Sequence, residues 1–194
     1  AAIIKIHNKD KAIAVTVDSS ANYCKAHPLT GGKQIVAESW RNLISAGAKP
    51  MAITNCLNFG NPENPDVMGE FAESIQGIKE ACEFLNYPVV SGNVSFYNGT
   101  NQKNINPTPV IGGVGLISKL KKTINHLITN ENNLIYLIGK TFGHLHQSTF
   151  FEEIYSIYEG PPPEVNLLNE RNNGQCILKA INESLVEASH DLSS

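Results

Sequence analysis

The feature that most constrains the fold of this chain is an alternation of strand-like runs with two amphipathic patterns within residues 1–117. Short runs of β-rich or alternating apolar residues predict strands at 3–7, 12–18, 51–57, 89–94 and 110–117. The order is two strands, a helix, a strand, a helix and two strands. This order predicts an α/β (α+β) layer structure in which helices cover a mixed sheet.

The two amphipathic patterns also predict where the helices begin and end. Residues 31–47 carry an apolar stripe that includes Trp40, so we expect this tryptophan in the core rather than at a ligand. The second helix has Asn64 as its cap and Pro65 at its first position. Cys82 lies on the apolar stripe of that helix and is predicted to be a buried apolar residue.

A second domain is predicted to follow the last of these strands. A polar stretch rich in Lys and Asn separates the two parts and indicates a boundary. We therefore expect a first domain at 1–120 and a second domain beginning at 121 and running to 194. The second part is predicted to contain a strand at 134–138 and helices at 147–158 and 174–188.

Composition excludes several classes of partner. The net charge of −3 and pI near 6.1 provide no basic field for nucleic acid or an anionic membrane surface. No apolar run is long enough to cross a bilayer, no secretory signal is present, and the four cysteines form no CxxC pair. We therefore expect a globular, cytoplasmic protein with free thiols. The chain lacks an initial Met and stops just after a helical pattern, which predicts a fragment of a longer polypeptide.

The densest functional signal is a pair of polar segments at the exits of two predicted strands, residues 54–62 (TNCLNFGNP) and 91–98 (SGNVSFYN). Strand exits are where α/β folds usually bind ligands. Glycine lets the backbone approach a phosphate, while Ser and Asn offer neutral groups to phosphate oxygens or a metal. The alternative is that Asn and Gly build turns, and spacing alone favours it because neither segment is a P-loop or GxGxxG.

Weaker candidates each have a structural alternative. His144 and His146 are spaced as a metal pair without a third ligand, which favours a solvated position. The glycine-rich run at 112–115 would suit an anion or close strand packing. Asp18 would suit Mg²⁺ or a turn, and the His-Asp pair at 190–191 would suit catalysis or a helix end.

Several motifs in one order carry a family resemblance. They are DSSANYCKAHPLTGGKQIVAESWRN, TNCLNFGNPENPDVMGEF, YPVVSGNVSFYN, PTPVIGGVGLI and a final HDLS. Together they resemble the second half of the phosphoribosylformylglycinamidine synthases, which belong to the aminoimidazole ribonucleotide synthetase superfamily. The resemblance covers essentially the whole chain.

The resemblance implies a particular domain arrangement. In this family an A-type domain pairs with another A-type domain to form a central β-barrel, and each is followed by a B-type α/β domain. Residues 1–120 resemble the second A-type domain, and residues 121–194 resemble the truncated start of the second B-type domain. The expected partner for the A-type sheet is the missing first half of the same protein, or a second copy in a homodimer.

The resemblance also implies an activity. The family is an ATP-dependent carbon-nitrogen ligase of purine biosynthesis, which converts formylglycinamide ribonucleotide, ATP and glutamine-derived ammonia into formylglycinamidine ribonucleotide, ADP and phosphate. The amide oxygen is activated by phosphoryl transfer and is then displaced by ammonia. Expected partners are a glutaminase subunit and a small accessory subunit.

Four residues acquire expected roles by this resemblance. Asn55 and Gly92 fall where the family contacts ATP, Asn93 where it binds Mg²⁺, and Ser95 where it contacts the substrate. A neutral Asn carbonyl suits Mg²⁺, and a Ser hydroxyl can donate to a phosphate. The family usually has Asp where Asn55 stands and Gly where His146 stands, so one charged contact to the nucleotide is absent here.

No catalytic residue is expected in this chain. The catalytic histidines of the family lie in a His-Asn-His segment of the first half, and the corresponding residues 18–22 contain no histidine. We therefore expect this chain alone to lack synthetase activity. Two alternatives stay open: another enzyme of the superfamily, such as aminoimidazole ribonucleotide synthetase, or a structural half that binds a nucleotide without turnover. The uninterrupted CLNFGNP and SGNVS pair argues against the first.

Overall fold

Strands and helices are interspersed over the first 117 residues, and the named elements described after them are helices. A computed structural model of the protein describes residues 1–101 and 103–192. The strands are β1 (Ala2–Lys5), β2 (Ala12–Asp18), β3 (Lys49–Asn58), β4 (Val89–Ser95), β5 (Gly99–Thr100), β6 (Lys103–Asn104) and β7 (Thr108–Ile117). The α-helices are α1 (Ala21–Ala26), α2 (Pro28–Ser45), α3 (Pro65–Leu85), α4 (Thr149–Tyr155) and α5 (Leu167–Asn182).

Five strands form one mixed sheet in the order β1-β2-β7-β3-β4. β3 and β4 are parallel and are joined through α3, whereas the other neighbours are antiparallel. β5 and β6 form a separate small hairpin directly after β4. The predicted mixed sheet is therefore confirmed, and β4 lies at one of its edges.

Local sequence explains where the two long helices start and stop. The His27 side chain accepts a hydrogen bond from Thr30 N at the start of α2. At the start of α3 the Asn64 side chain accepts one from Asp66 N, as predicted, and Pro65 occupies the first turn. Asn86, the residue directly after α3, adopts the left-handed conformation and caps the helix. No helix in the described part of the chain has the length and apolar character needed to cross a membrane.

One face of the sheet is covered by α2 and α3 and forms the core. Trp40 and Cys82 both belong to this core, as their positions on the apolar stripes predicted. The largest fully buried side chains of the core include Tyr87, Phe59 and Ile35. Full burial of an aromatic or large aliphatic side chain contributes about 1.5–3 kcal/mol of stability, so this layer holds the helices on the sheet.

The opposite face of the sheet, which we call the open face, has no helix on it among the described residues. Its apolar side chains come from β1, β2 and β7 and are partly or largely exposed: Ile4, Ile13, Val15, Val17, Val110 and Val114. Val17 is 75% exposed and Ile4 57%. The described strands do not close into a barrel, since β1 and β4 are both edges. An exposed apolar sheet face of this kind is typical of a surface that another element covers.

The C-terminal part departs from the sequence-based prediction. Residues 134–138, predicted as a strand, form no strand and are exposed, because no described strand pairs with them. The predicted helix at 147–158 is the shorter α4. The predicted helix at 174–188 is α5, which begins and ends earlier (Leu167–Asn182).

α5 packs on α2, so the C-terminal part is not detached from the sheet domain. A Cβ atom at Gly174 would overlap the Trp40 ring, which shows how closely the two helices approach. Beside this contact the Arg41 Nε lies 3.1 Å from the Glu170 carboxylate. Glu170 is largely buried, and its pKa is raised by that burial although the Arg41 charge opposes the shift.

All four cysteines are free, and they fall into two groups. Cys24 and Cys82 are buried, and burial raises the pKa of each thiol to about 12. Cys56 is half-buried and Cys176 is exposed. The two buried thiols therefore act as small apolar core residues rather than as nucleophiles.

Two glycines of α3 give a matched test of the α2–α3 packing. A Cβ atom at Gly77 would overlap the Leu29 carbonyl oxygen of α2, whereas at Gly69 it would meet nothing within 4 Å. We expect Gly77→Ala to lower the free energy of unfolding by about 1–3 kcal/mol, because one helix must move away. Gly69→Ala should instead raise it by about 0.5–1 kcal/mol, since Ala favours the helix.

Denaturant unfolding of the two variants and the unsubstituted protein measures both effects. The free energy of unfolding should fall in Gly77→Ala and rise in Gly69→Ala. Equal effects would contradict the close packing of α2 on α3.

Candidate functional site

A strip of small polar side chains lies on the open face where β3 and β4 run side by side. We call it the polar strip, and it consists of Thr54, Cys56 and Asn58 from β3 and Ser91, Asn93 and Ser95 from β4. The parallel register places Thr54 opposite Ser91 and Cys56 opposite Asn93. The hydroxyl oxygens of Thr54 and Ser91 are 3.0 Å apart. Side chains at alternate positions share one face of a sheet, so the six residues form two adjacent polar rows.

The polar strip borders the apolar part of the open face. None of its six residues is Asp, Glu, Lys, Arg or His. The strip therefore offers hydroxyl and amide groups for hydrogen bonds without a fixed charge. Among the residues predicted to bind ligands, the strip contains Asn93 and Ser95.

Asn55 and Gly92, the predicted ATP contacts, lie on the other face of the same two strands. Asn55 borders a cavity of about 460 Å³ between α3 and the sheet. The cavity is also lined by Ile75, Ile78, Lys79, Cys82 and Tyr87. A Cβ atom at Gly92 would overlap both the side-chain oxygen and the backbone oxygen of Asn55. Close approach of the two strands therefore requires glycine at position 92, with or without a ligand.

The four predicted site residues are thus divided between two faces. Asn55 and Gly92 face the side of α3, whereas Asn93 and Ser95 face the open side. Since β4 is an edge strand, a ligand that touches both pairs must pass around its free edge. The structure brings the members of each pair together and does not place all four around one point.

The loop after β4 is fixed by Asn98, the last residue of the polar segment 91–98, to which the sequence analysis assigned no individual role. Its Nδ2 donates to the carbonyl oxygens of Phe59 at 3.0 Å and Ser95 at 2.9 Å. The same amide contacts the Ser95 hydroxyl, with Nδ2 at 3.1 Å and Oδ1 at 3.3 Å. Asn98 precedes a glycine after a β-strand, and this turn signal was visible in the sequence.

Asp18 does not reach the polar strip. Its carboxylate faces α2 and accepts hydrogen bonds from Thr16 at 2.8 Å and Asn42 at 2.7 Å. Burial raises the pKa of Asp18, and the negative charge of Asp191 raises it further, while hydrogen bonds from Thr16, Asn42 and Ser39 oppose the shift. This carboxylate is therefore engaged inside the fold, which supports neither hypothesis of a Mg²⁺ ligand or a turn cap.

The glycine-rich run lies in the middle of β7 and has a packing role. β7 pairs with β2 on one side and β3 on the other. A Cβ atom at Gly113 would overlap the hydroxyl oxygens of Ser39 and Tyr87. Close packing, the structural alternative for residues 112–115, explains these glycines.

The histidine candidates form no metal centre in the described part of the chain. The rings of His144 and His146 are 5.8 Å apart, and His144 Nε2 lies 3.0 Å from the Pro161 carbonyl oxygen. Residues 1–101 and 103–192 contain no group of three His, Cys, Asp or Glu that could hold a metal ion. His190 is exposed, with Nδ1 at 3.6 Å from an Asp191 oxygen. Ser193, the last residue of the HDLS motif, lies outside the described residues.

Comparison with known proteins gives a family match over most of the sheet domain. Residues 1–117 match the family model described as AIR synthase related protein, N-terminal domain. The matched range contains every strand of the structure. It also contains the polar strip and the cavity below α3.

Individual relatives resemble the whole chain. The chain is 58% identical over 193 residues to a phosphoribosylformylglycinamidine synthase subunit PurL of Pelagibacter ubique, covering 100% of this chain and 26% of the relative. A solved structure, Thermotoga maritima PurL complexed with FGAR, matches with a TM-score of 0.67 and 27% identity over 94% of this chain and 25% of that one. T. maritima PurL complexed with ATP matches with a TM-score of 0.57 and 37% identity, over 63% of this chain and 20% of that one. The chain thus spans about a quarter of the length of the curated relatives it matches.

The buried Asp18 predicts a pH dependence of stability. Its raised pKa means that the folded state holds this proton more tightly than the unfolded chain. As the pH rises through the ordinary value of 3.8, the unfolded chain ionises first, and stability falls until the raised pKa is passed. Asp18→Asn has no such ionisation, so its free energy of unfolding should fall less between about pH 4 and pH 7.

Denaturant unfolding at several pH values compares the two proteins. The difference between their profiles isolates the contribution of Asp18 from that of all other groups. Parallel profiles over this range would contradict the raised pKa.

Proposed function

This chain belongs to the AIR synthase-related protein family, and from that premise we propose that it is a segment of a phosphoribosylformylglycinamidine synthase. The observation that carries the proposal is the 58% identity to a PurL subunit along the whole chain. In this proposal the full-length protein is an ATP-dependent ligase of purine biosynthesis. It converts formylglycinamide ribonucleotide, ATP and glutamine-derived ammonia into formylglycinamidine ribonucleotide, ADP and phosphate.

We propose that residues 1–120 are the second A-type domain and that residues 121–194 begin the second B-type domain. Support comes from the family match, which ends at residue 117, and from the end of the sheet at Ile117. The exposed apolar segment at 134–138 fits a strand that finds its partner elsewhere in the longer protein. Residues 121–194 are then only the start of their domain.

The open face is proposed to pair with a second A-type sheet into a β-barrel. The exposed apolar side chains of β2 and β7, such as Val17 and Val114, support this proposal. The partner sheet belongs to the first half of the full-length protein, and a second copy of this chain can occupy the same place. On closure the polar strip would border the junction of the two sheets.

The polar strip and the cavity have distinct proposed roles. Asn55 and Gly92 contact ATP beside α3, and Ser95 contacts the ribonucleotide substrate from the polar strip. Asn93 is proposed as a Mg²⁺ ligand, and its chemistry fits because an exposed amide oxygen is a hard, neutral donor. Mg²⁺ takes six oxygen ligands, so nucleotide phosphates, water and other parts of the protein must supply the rest.

In the reaction this chain would bind and orient rather than transfer protons. The Ser95 hydroxyl would donate to an oxygen of the substrate and hold it against the polar strip. Bound Mg²⁺ would neutralise charge on the transferred phosphoryl group. We place the enzyme in the cytoplasm, together with a glutaminase subunit that supplies ammonia and a small accessory subunit.

Two substitutions in the polar strip separate the proposed roles in the protein at its full natural length. Asn93→Ala should weaken Mg²⁺-dependent nucleotide binding, because a metal ligand is lost. Ser95→Ala should weaken binding of formylglycinamide ribonucleotide about two- to tenfold, since one hydrogen bond is worth about 0.5–1.5 kcal/mol. Calorimetric titration of each ligand into each variant measures these affinities.

Thermal melts of the same variants provide the control. If these residues only build turns, both variants melt at lower temperature and bind both ligands with unchanged affinity. That result would remove the proposed roles of Asn93 and Ser95.

Pairing of the open face predicts self-association of this chain. At high protein concentration we expect dimers or larger species, because the exposed apolar face is otherwise in contact with water. Val17→Lys places a charge on that face and should shift the chain toward monomer. Gln76→Lys, on the exposed side of α3, is the matched control and should leave the association of the chain unchanged.

Sedimentation velocity over a range of concentrations measures these states. A clean monomer of the unsubstituted chain at high concentration would count against pairing through the open face. Equal association of the two Lys variants would assign the contact to another surface.

A further inference from the structure

We infer that Asn98 is a positioning residue that sets the hydrogen-bonding direction of the Ser95 hydroxyl at the substrate site. The inference deepens the proposed function and rests on it, because Ser95 is the proposed substrate contact. It adds a residue to which neither the motifs nor the comparisons give a role. The juxtaposition of the Asn98 amide with the ends of β3 and β4 supports it.

The Asn98 amide first fixes its own position. The Asn98 Nδ2 group donates one hydrogen bond to the carbonyl oxygen of Phe59, just after β3. It donates another to the carbonyl oxygen of Ser95, the last residue of β4. The Asn98 backbone N also donates to the Phe59 oxygen, at 3.2 Å. Asn98 thus ties the two strand ends together and is held in a single orientation.

The same amide then presents two different groups to one hydroxyl. Ser95 Oγ lies 3.1 Å from Nδ2 and 3.3 Å from Oδ1 of Asn98. An amide offers both a donor and an acceptor, and a hydroxyl can use either. Without a ligand the hydroxyl can donate to Oδ1. When the hydroxyl instead donates its hydrogen bond to a substrate oxygen, the Asn98 Nδ2–H can still donate to a lone pair of Oγ.

The ability of its amide both to donate to Oγ and to accept from it distinguishes Asn98 from an Asp at the same position. A carboxylate at position 98 would have the same shape and only acceptor oxygens. It would hold the Ser95 proton to itself and would repel the carbonyl oxygens of Phe59 and Ser95. The arrangement therefore needs an amide at this position, and it keeps the hydroxyl available as a donor to substrate.

The test is a double-mutant cycle in the protein at its full natural length. Asn98→Ala should weaken binding of formylglycinamide ribonucleotide about three- to tenfold, the effect of losing one hydrogen-bonded arrangement, with ATP affinity unchanged. In the Ser95→Ala background the same substitution should change substrate affinity less than about twofold, because Asn98 acts through Ser95. Calorimetric titration measures both affinities.

Two further variants complete the design. Asn104→Ala removes an amide of the neighbouring strand β6 whose oxygen accepts a hydrogen bond from Asn61 N, and it should leave substrate affinity unchanged. Asn98→Asp keeps the shape of the side chain and should weaken substrate binding at least as much as Asn98→Ala. If thermal melts show that Asn98→Ala does not fold, Asn98→Asp takes its place in the cycle.

The outcomes separate this inference from the proposed function. Equal effects of the Asn98 substitution with and without the Ser95 hydroxyl would overturn the positioning role and leave the proposed function standing. Unchanged substrate affinity in both Asn98 variants would also overturn the positioning role and leave the proposed function standing. If the unsubstituted protein does not bind formylglycinamide ribonucleotide, the proposed function is wrong and the inference falls with it.

Discussion

The parallel pairing of β3 with β4 is the constraint on which the candidate site depends. Parallel strands cannot be joined by a short turn, so the chain between them forms the crossover helix α3, which covers one face of the sheet. The same pairing sets the register that places Thr54, Cys56 and Asn58 beside their partners on β4. A slip of one residue would turn the polar strip toward α3 and bury it. Gly92 permits this register because a side chain there would overlap Asn55.

The two faces of the sheet pack against different surroundings, and the residues on each face differ accordingly. Toward the helices the demand is close packing, and Gly113 and Gly174 show how little space remains between the layers. Asp18, a buried polar group on that side, is held by hydrogen bonds inside the fold. On the open face the apolar residues of β2 and β7 stop where the polar strip begins. A partner sheet can therefore cover the apolar part while the strip stays available to a ligand.

Much of the sheet domain follows from local pattern, and the failures have physical causes. β2 coincides with the predicted 12–18 because AIAVTVD is a short β-rich run, and burial alternates along it. The strand predicted at 134–138 is not formed in this structure, because an apolar run forms a strand only with a partner, and none is present among the described residues. The start of α5 was predicted too late because its first turns, LLNERNN, are mainly polar. The division of Asn55 and Asn93 between two faces, and the role of Asn98, depend on pairing register and loop geometry, which local pattern does not contain.

The absence of charge on the polar strip indicates how binding would be divided in the longer protein under the proposed function. The proposed ligands, a nucleoside triphosphate and a ribonucleotide, carry negative charge, yet the polar strip holds no Lys, Arg or His. Asn55 is neutral as well, and Asn93 can bring a cation only together with other ligands. Hydroxyls and amides fix the position and direction of a ligand, whereas neutralising its charge requires cations or basic side chains. In the proposed function the polar strip therefore supplies orientation and shape. Lys79 lines the cavity beside Asn55, and the remaining positive charge would come from bound Mg²⁺ and from parts of the longer protein outside this chain, which spans about a quarter of its relatives' length.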